Sequence, residues 1–251
     1  MNEVEVTLHW IYVAIMVLSG ISFYVLGKDP KGIPYYKYTI HMFIVFWSAL
    51  GYSALALNQG TIVVFDQVVH YARYLDWVVT TPLLLLSLCL TAKLTTRNEG
   101  WLIGTMIGAQ VIMIVTGLVA ELSATPAYQY FWYIIGCIAL VIVLYVMWKP
   151  LLAISQTQGV GIEKVYKASA VYLTVQWILY PVVWLFGQPG LKLFDSFTTT
   201  VLFLILPVVS KAGFGFFNLI KLRNLDPKYK PQPKPPHPSK PEYKHTGLAK
   251  G

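Results

Sequence analysis

The stretch RYLDWVVTTP (residues 73–82) sets Arg73, Asp76, Thr80, Thr81 and Pro82 in the middle of an otherwise apolar run. A second run, LILPVVSKAGFGFF (residues 204–217), carries one ionisable residue, Lys211. An ionisable side chain at membrane depth is costly, and its default reading is a functional site. A buried lysine shifts readily toward the neutral amine, which is a nucleophile and a natural partner for an aldehyde. Once condensed and protonated, that nitrogen needs a counter-charge, and Asp76 is the intramembrane carboxylate to supply it. Snorkelling does not account for Lys211, because about ten residues, roughly 15 Å of helix, separate it from its helix end. An alternative stays open: Arg73 and Asp76, three residues apart on one helix face, form a structural ion pair. That alternative gives Lys211 no role.

The elements that must position these groups follow from composition. Of 251 residues, 56% are hydrophobic and only 12% are charged, against about 25% charged in a soluble domain. Seven apolar spans of membrane-crossing length are expected, at 5–27, 38–58, 72–92, 101–121, 128–148, 168–187 and 196–220. The fold class is therefore all-α, a seven-transmembrane-helix bundle, multi-pass in the cell membrane, with the lipid bilayer as its first partner. Lysines and arginines fall in the first, third and fifth loops (Lys28, Lys31, Lys37; Lys93, Arg97; Lys149, Lys164, Lys167). The positive-inside rule then puts the N-terminus outside and the C-terminus in the cytoplasm. Residues 1–225 form the membrane domain. Residues 226–251 form a basic, Pro-rich tail too polar to pack, attracted to anionic lipid or docking a soluble partner. Cys89 and Cys137 lie inside apolar spans and are expected to pack as small residues. No metal site, phosphate loop, nucleic-acid partner or enzymatic turnover is expected.

Aromatics gather around the same depth. Trp177, Tyr180 and Trp184 stand at i, i+3 and i+7 beside Pro181 in WILYPVVW, Trp77 adjoins Asp76, and Trp132 and Tyr133 sit in the fifth span. Such a stripe is ordinary core packing when alone. Converging on a buried lysine, it reads as a slot for a long, flat, apolar ligand.

Arg73, Tyr74, Asp76, Trp77, Thr80, Thr81 and Pro82, the WxxYPxxW pattern and the Ser-Lys pair at 210–211 together resemble microbial rhodopsins, across all seven spans. The resemblance implies retinal bound to Lys211 as a protonated Schiff base, with Asp76 as counterion and first proton acceptor and Arg73 beside it. By residue matching it also implies Tyr52, Thr81, Leu84, Met113, Gly117, Gly136 and Ala212 at the retinal site. Gly117 and Gly136 could equally serve close helix packing. Gln110 is placed to hydrogen-bond near Thr81. His9, His41 and His70 are expected to make interfacial hydrogen bonds rather than to shuttle protons.

The subtype rests on fewer positions. Ser87 stands where outward proton pumps of the family carry an internal donor carboxylate, and a hydroxyl does not titrate usefully near neutral pH. Pro207 stands where a second counterion is usual. The resemblance implies that the outer release acids of pumps are replaced, with Thr199 in one such place and Asp195 nearby. Serine and proline in those places, with LHWIYVA, FWYIIG and LRNL, resemble the Anabaena sensory rhodopsin-like photoreceptors of cyanobacteria. That implies a light sensor signalling to a soluble cytoplasmic transducer, and is compatible with a dimer or trimer. Asn218 and Lys37 depart from that pattern, each standing where it has an acid. The rival is a light-driven proton transporter, slow outward or inward. A non-photochemical seven-helix receptor or scaffold is the third reading.

Overall fold

The computed structural model describes residues 3–65, 67–92 and 96–225; the tail at 226–251 lies outside the described residues. Among these, seven helices are long and apolar enough to cross a bilayer. They are Glu3–Lys28, Tyr35–Ala56, Tyr71–Thr91, Thr96–Glu121, Pro126–Thr157, Val160–Phe186 and Ser196–Arg223, called the first to the seventh helix. Short connections make sequence neighbours antiparallel and adjacent. The first, third, fifth and seventh helices thus start at the N-terminal face, and the other three end there.

Local chemistry sets several helix ends. Pro126 opens the fifth helix at a position where its missing N–H costs nothing. Asp195 caps the seventh, accepting from the Thr198 amide at 2.6 Å. The fifth and sixth helices run beyond the spans expected from hydropathy, to Thr157 and from Val160, so Lys149, Lys164 and Lys167 lie on helices rather than in a loop. An apolar window marks the hydrocarbon thickness, whereas a helix continues into the polar zone where charges can pair. Lys167 and Glu163 do so at 2.6 Å, one turn apart.

A second difference is a small hairpin between the second and third helices, in a chain expected to be all helix. Strand Ile62–Val64 pairs antiparallel with Gln67–Val69, with Ile62 opposite Val69. The β-branched residues on each side of the turn favour it.

Prolines fall inside the third, sixth and seventh helices where the site will lie. Pro82, Pro181 and Pro207 each remove one backbone donor inside a helix. Directly after Pro207 the seventh helix widens into a π turn, Val208–Gly213, which contains Lys211. Such turns collect at functional sites because they re-aim one side chain. On the third helix, Thr80 and Thr81 turn their hydroxyls back onto the Asp76 and Trp77 carbonyls, both at 2.8 Å.

Candidate functional site

The π turn points Lys211 across the bundle at the third helix. Its Nζ forms a short ion pair with Asp76 Oδ2, and both side chains are almost wholly buried. Asp76 therefore pairs with Lys211, which settles the alternative in which Arg73 was its partner. Ser48 on the second helix completes the arrangement. Its hydroxyl accepts from Lys211 Nζ at 2.9 Å and donates to Asp76 Oδ2 at 3.0 Å. Tyr12 OH stands 2.5 Å from the same hydroxyl. The Tyr52 ring lies beside the amine, 6.0 Å from Nζ to the ring centre, with its OH donating to the Phe203 carbonyl at 3.0 Å. A buried pair of this kind needs further hydrogen bonds to offset its desolvation; Ser48 supplies them to Nζ and Oδ2, while Asp76 Oδ1 is buried without a protein partner among the described residues.

An apolar cavity lies alongside, between the third, fourth, fifth and sixth helices. Of the residues expected at the ligand slot, Trp77, Thr81, Met113, Gly117, Tyr133, Gly136, Trp177, Tyr180, Pro181 and Trp184 line it. Trp77 meets Tyr180 edge-on at 5.0 Å, and Tyr133 stacks on Trp184 at 4.9 Å. Gly136 lies at a close approach of the fourth and fifth helices: a Cβ there would stand 3.0 Å from Thr116 Oγ1 and 3.5 Å from the Met113 carbonyl oxygen. Gln110 Nε2 donates to Thr81 Oγ1 at 2.9 Å, tying the fourth helix to the third across the cavity wall.

Five expected residues stand elsewhere. Leu84 is buried in the core cluster toward the opposite face, Trp132 packs behind the aromatic wall, and Pro207 is buried one turn before the lysine. Ala212 and Tyr52 pack on the far side of the ion pair, among first- and second-helix residues. Tyr74, Ile114, Cys137, Leu140 and Phe203 line the cavity without having been expected there. Cys137 and Leu140 follow from Tyr133 and Gly136 by helical periodicity.

The polar residues flanking the site divide by face. Toward the N-terminal face, Arg73 is 3% exposed and lies over the Phe203 ring at 4.6 Å. Beyond it, Glu121 at the end of the fourth helix is buried and accepts a short hydrogen bond from Tyr74 OH. Asp195 is not part of this group; it is exposed, and the Thr198 amide holds its carboxyl below the usual range. Burial lowers His70, which precedes the third helix, to about 3, with Arg73 adding to the effect. Toward the opposite face, Asn218 Nδ2 donates to Ser169 at 2.9 Å and to Thr91 at 3.1 Å, and Lys37 is buried against Thr91. His41 is fully buried, 3.0 Å from the Ser87 hydroxyl, and His9 is fully buried against the Glu5 carbonyl at 2.7 Å. Both rings face the protein interior. A span-end position in sequence does not exclude a ring turned inward, where a hydroxyl or a carbonyl gives it a partner.

A buried primary amine, a carboxylate paired with it and an aromatic slot ending within one residue of both describe a covalent chromophore site. Tyr180, in the slot wall, makes this link concrete, its OH lying 2.9 Å from the hydroxyl of Ser210, next to Lys211. Comparison with known proteins agrees. The model of the family described as bacteriorhodopsin-like protein matches residues 3–225. Archaerhodopsin-2 of Halobacterium sp. (strain aus-2) is 32% identical over 219 residues, 82% of each chain. Thermophilic rhodopsin from Rubrobacter xylanophilus superposes with a TM-score of 0.82 at 32% identity, covering 86% of this chain and 95% of the other. The light-driven proton pump LR (Mac) from Leptosphaeria maculans superposes at 0.80 with 27% identity, covering 88% and 94%. The chain belongs to the bacteriorhodopsin-like family of microbial rhodopsins, multi-pass membrane proteins that bind retinal through a Schiff base to a lysine. The residues present fit that group, since the apolar slot accepts a polyene and Lys211 supplies the amine.

Proposed function

We propose that the protein is a light-driven proton transporter, with retinal on Lys211 and Asp76 as first proton acceptor, and that it acts as a photochemical device rather than an enzyme. The observation that carries this reading is the ion pair of Lys211 and Asp76 with buried polar groups on both sides of it. Held on Lys211, retinal would supply the light absorption and the isomerisation that drive the cycle. Everything else is done by the chain. Asp76 stabilises the proton on Nζ at rest and receives it when the pair is disrupted. Ser48, bonded to both, keeps the carboxylate oriented toward that atom. Arg73, one turn closer to the N-terminal face, offsets the negative charge that Asp76 carries in a low-dielectric site. The relative described as a light-driven proton pump supports transport. Taking the odd loops as cytoplasmic, the N-terminal face is the outer one.

A second reading is a photosensor that signals to a soluble cytoplasmic transducer, as in Anabaena sensory rhodopsin-like receptors. Ser87 and Pro207 favour it, because neither titrates where efficient outward pumps carry carboxylates. Dimers or trimers fit either reading. Light-induced pH change in unbuffered cells supplied with retinal, with and without a protonophore, decides between them. Protonophore-sensitive acidification identifies outward transport and alkalinisation identifies inward transport. A coloured protein with no pH signal contradicts transport and favours the sensor.

A further inference from the structure

Glu121 ends the fourth helix at a depth where an acid is normally found facing headgroups and water. Here it is turned inward and is 8% exposed. It accepts from Tyr74 OH, and that hydroxyl in turn accepts from Trp184 Nε1 at 3.0 Å. Tyr74 and Trp184 are both walls of the chromophore cavity. On its other side Glu121 lines a second, polar cavity near the N-terminal face, together with His70, Arg73, Gln188, Lys192 and Thr199. One carboxylate is thus held between a hydrogen-bonded chain to the aromatic slot and a vestibule lined by loop residues. The charged and titratable groups facing it are Arg73, His70 and Tyr74 from the third helix and its entry, and Lys192 from the loop before the seventh.

We infer that Glu121 is the group that exchanges protons with the aqueous phase at the N-terminal face, and that Tyr74 and Trp184 couple its charge state to the chromophore slot. This rests on the proton-transport reading and extends it. The step is a reversible protonation: the carboxylate takes one proton from vestibule water to become a carboxylic acid, and returning it restores the carboxylate. Ionised, Glu121 can only accept from Tyr74. Protonated, it can itself donate, so the Tyr74 dipole at the cavity wall changes with each exchange.

The test has two arms. In oriented vesicles with a pH dye on the N-terminal-face side, a flash should produce a transient proton signal in the native protein. Glu121→Gln should slow it by about tenfold or more and flatten its pH profile, whereas Glu121→Asp should restore both. In the retinal-free protein, the side-chain carboxyl 13C resonance lost in Glu121→Gln should titrate with pH, and Tyr74→Phe should move its midpoint. An unchanged transient and pH profile in Glu121→Gln would overturn the inference. Should Glu121→Gln fail to take up retinal, a Glu121 resonance that does not titrate, or that ignores Tyr74→Phe, would overturn it equally. An intact native transient without net transport would instead refute the transport reading alone.

Discussion

Replacing Lys211 by alanine should leave the protein without a visible absorption band when retinal is supplied, a complete loss rather than a shift. The amine is the atom that makes the covalent bond, and it is buried beside Asp76, where no exposed lysine can substitute. Lys211→Arg should fail as fully, because a guanidinium keeps its proton and is no nucleophile. The variants also leave Asp76 buried without its cation, and removing one partner of a buried ion pair costs about 3–5 kcal/mol. Folding should therefore be checked by helical circular dichroism before colour is scored. A folded Lys211→Ala protein that still forms a pigment stable to denaturation would place the attachment on another residue.

The second large effect is expected at Asp76. Asp76→Asn keeps the shape and the contact to Ser48 but removes the charge opposite Nζ. The absorption should move to longer wavelength, since the resting positive charge is then held less tightly at the nitrogen. Light-driven proton movement should fall by about 100-fold or more, the scale on which a positioned acceptor matters. Asp76→Glu should retain a proton signal with altered kinetics. Unimpaired transport in Asp76→Asn would show that a different group receives the proton.

The heart of the site is legible in the sequence because rare charges in an apolar chain are informative. Lys211 and Asp76 had to be explained, and pairing them explained both. Much of the aromatic wall was also legible, since Trp177, Tyr180 and Trp184 keep helical spacing beside a proline. Leu84 and Ala212, named by residue matching, do not line the apolar cavity: Leu84 packs in the core cluster that also holds Leu140 and Trp177, and Ala212 follows Lys211 directly on the seventh helix. The helix extents of the fifth and sixth spans were underestimated because charged turns at the membrane surface are helical too. Glu121 stands at the end of its span, and nothing in the sequence singles it out. Only the packing of the third, fourth and sixth helices brings it to Tyr74 and Trp184, and nothing in the linear order signals that meeting. The contact of His41 with Ser87 is hidden from the linear order for the same reason.

The central claim is that light moves a proton from Lys211 Nζ to Asp76. Light-minus-dark infrared spectroscopy on the retinal-loaded protein measures this most directly. The account predicts a protonated-carboxyl C=O stretch that rises as the Nζ proton is lost, shifts with isotope-labelled aspartate and disappears in Asp76→Asn. Loss of the Nζ proton with Asp76 ionised throughout would contradict it.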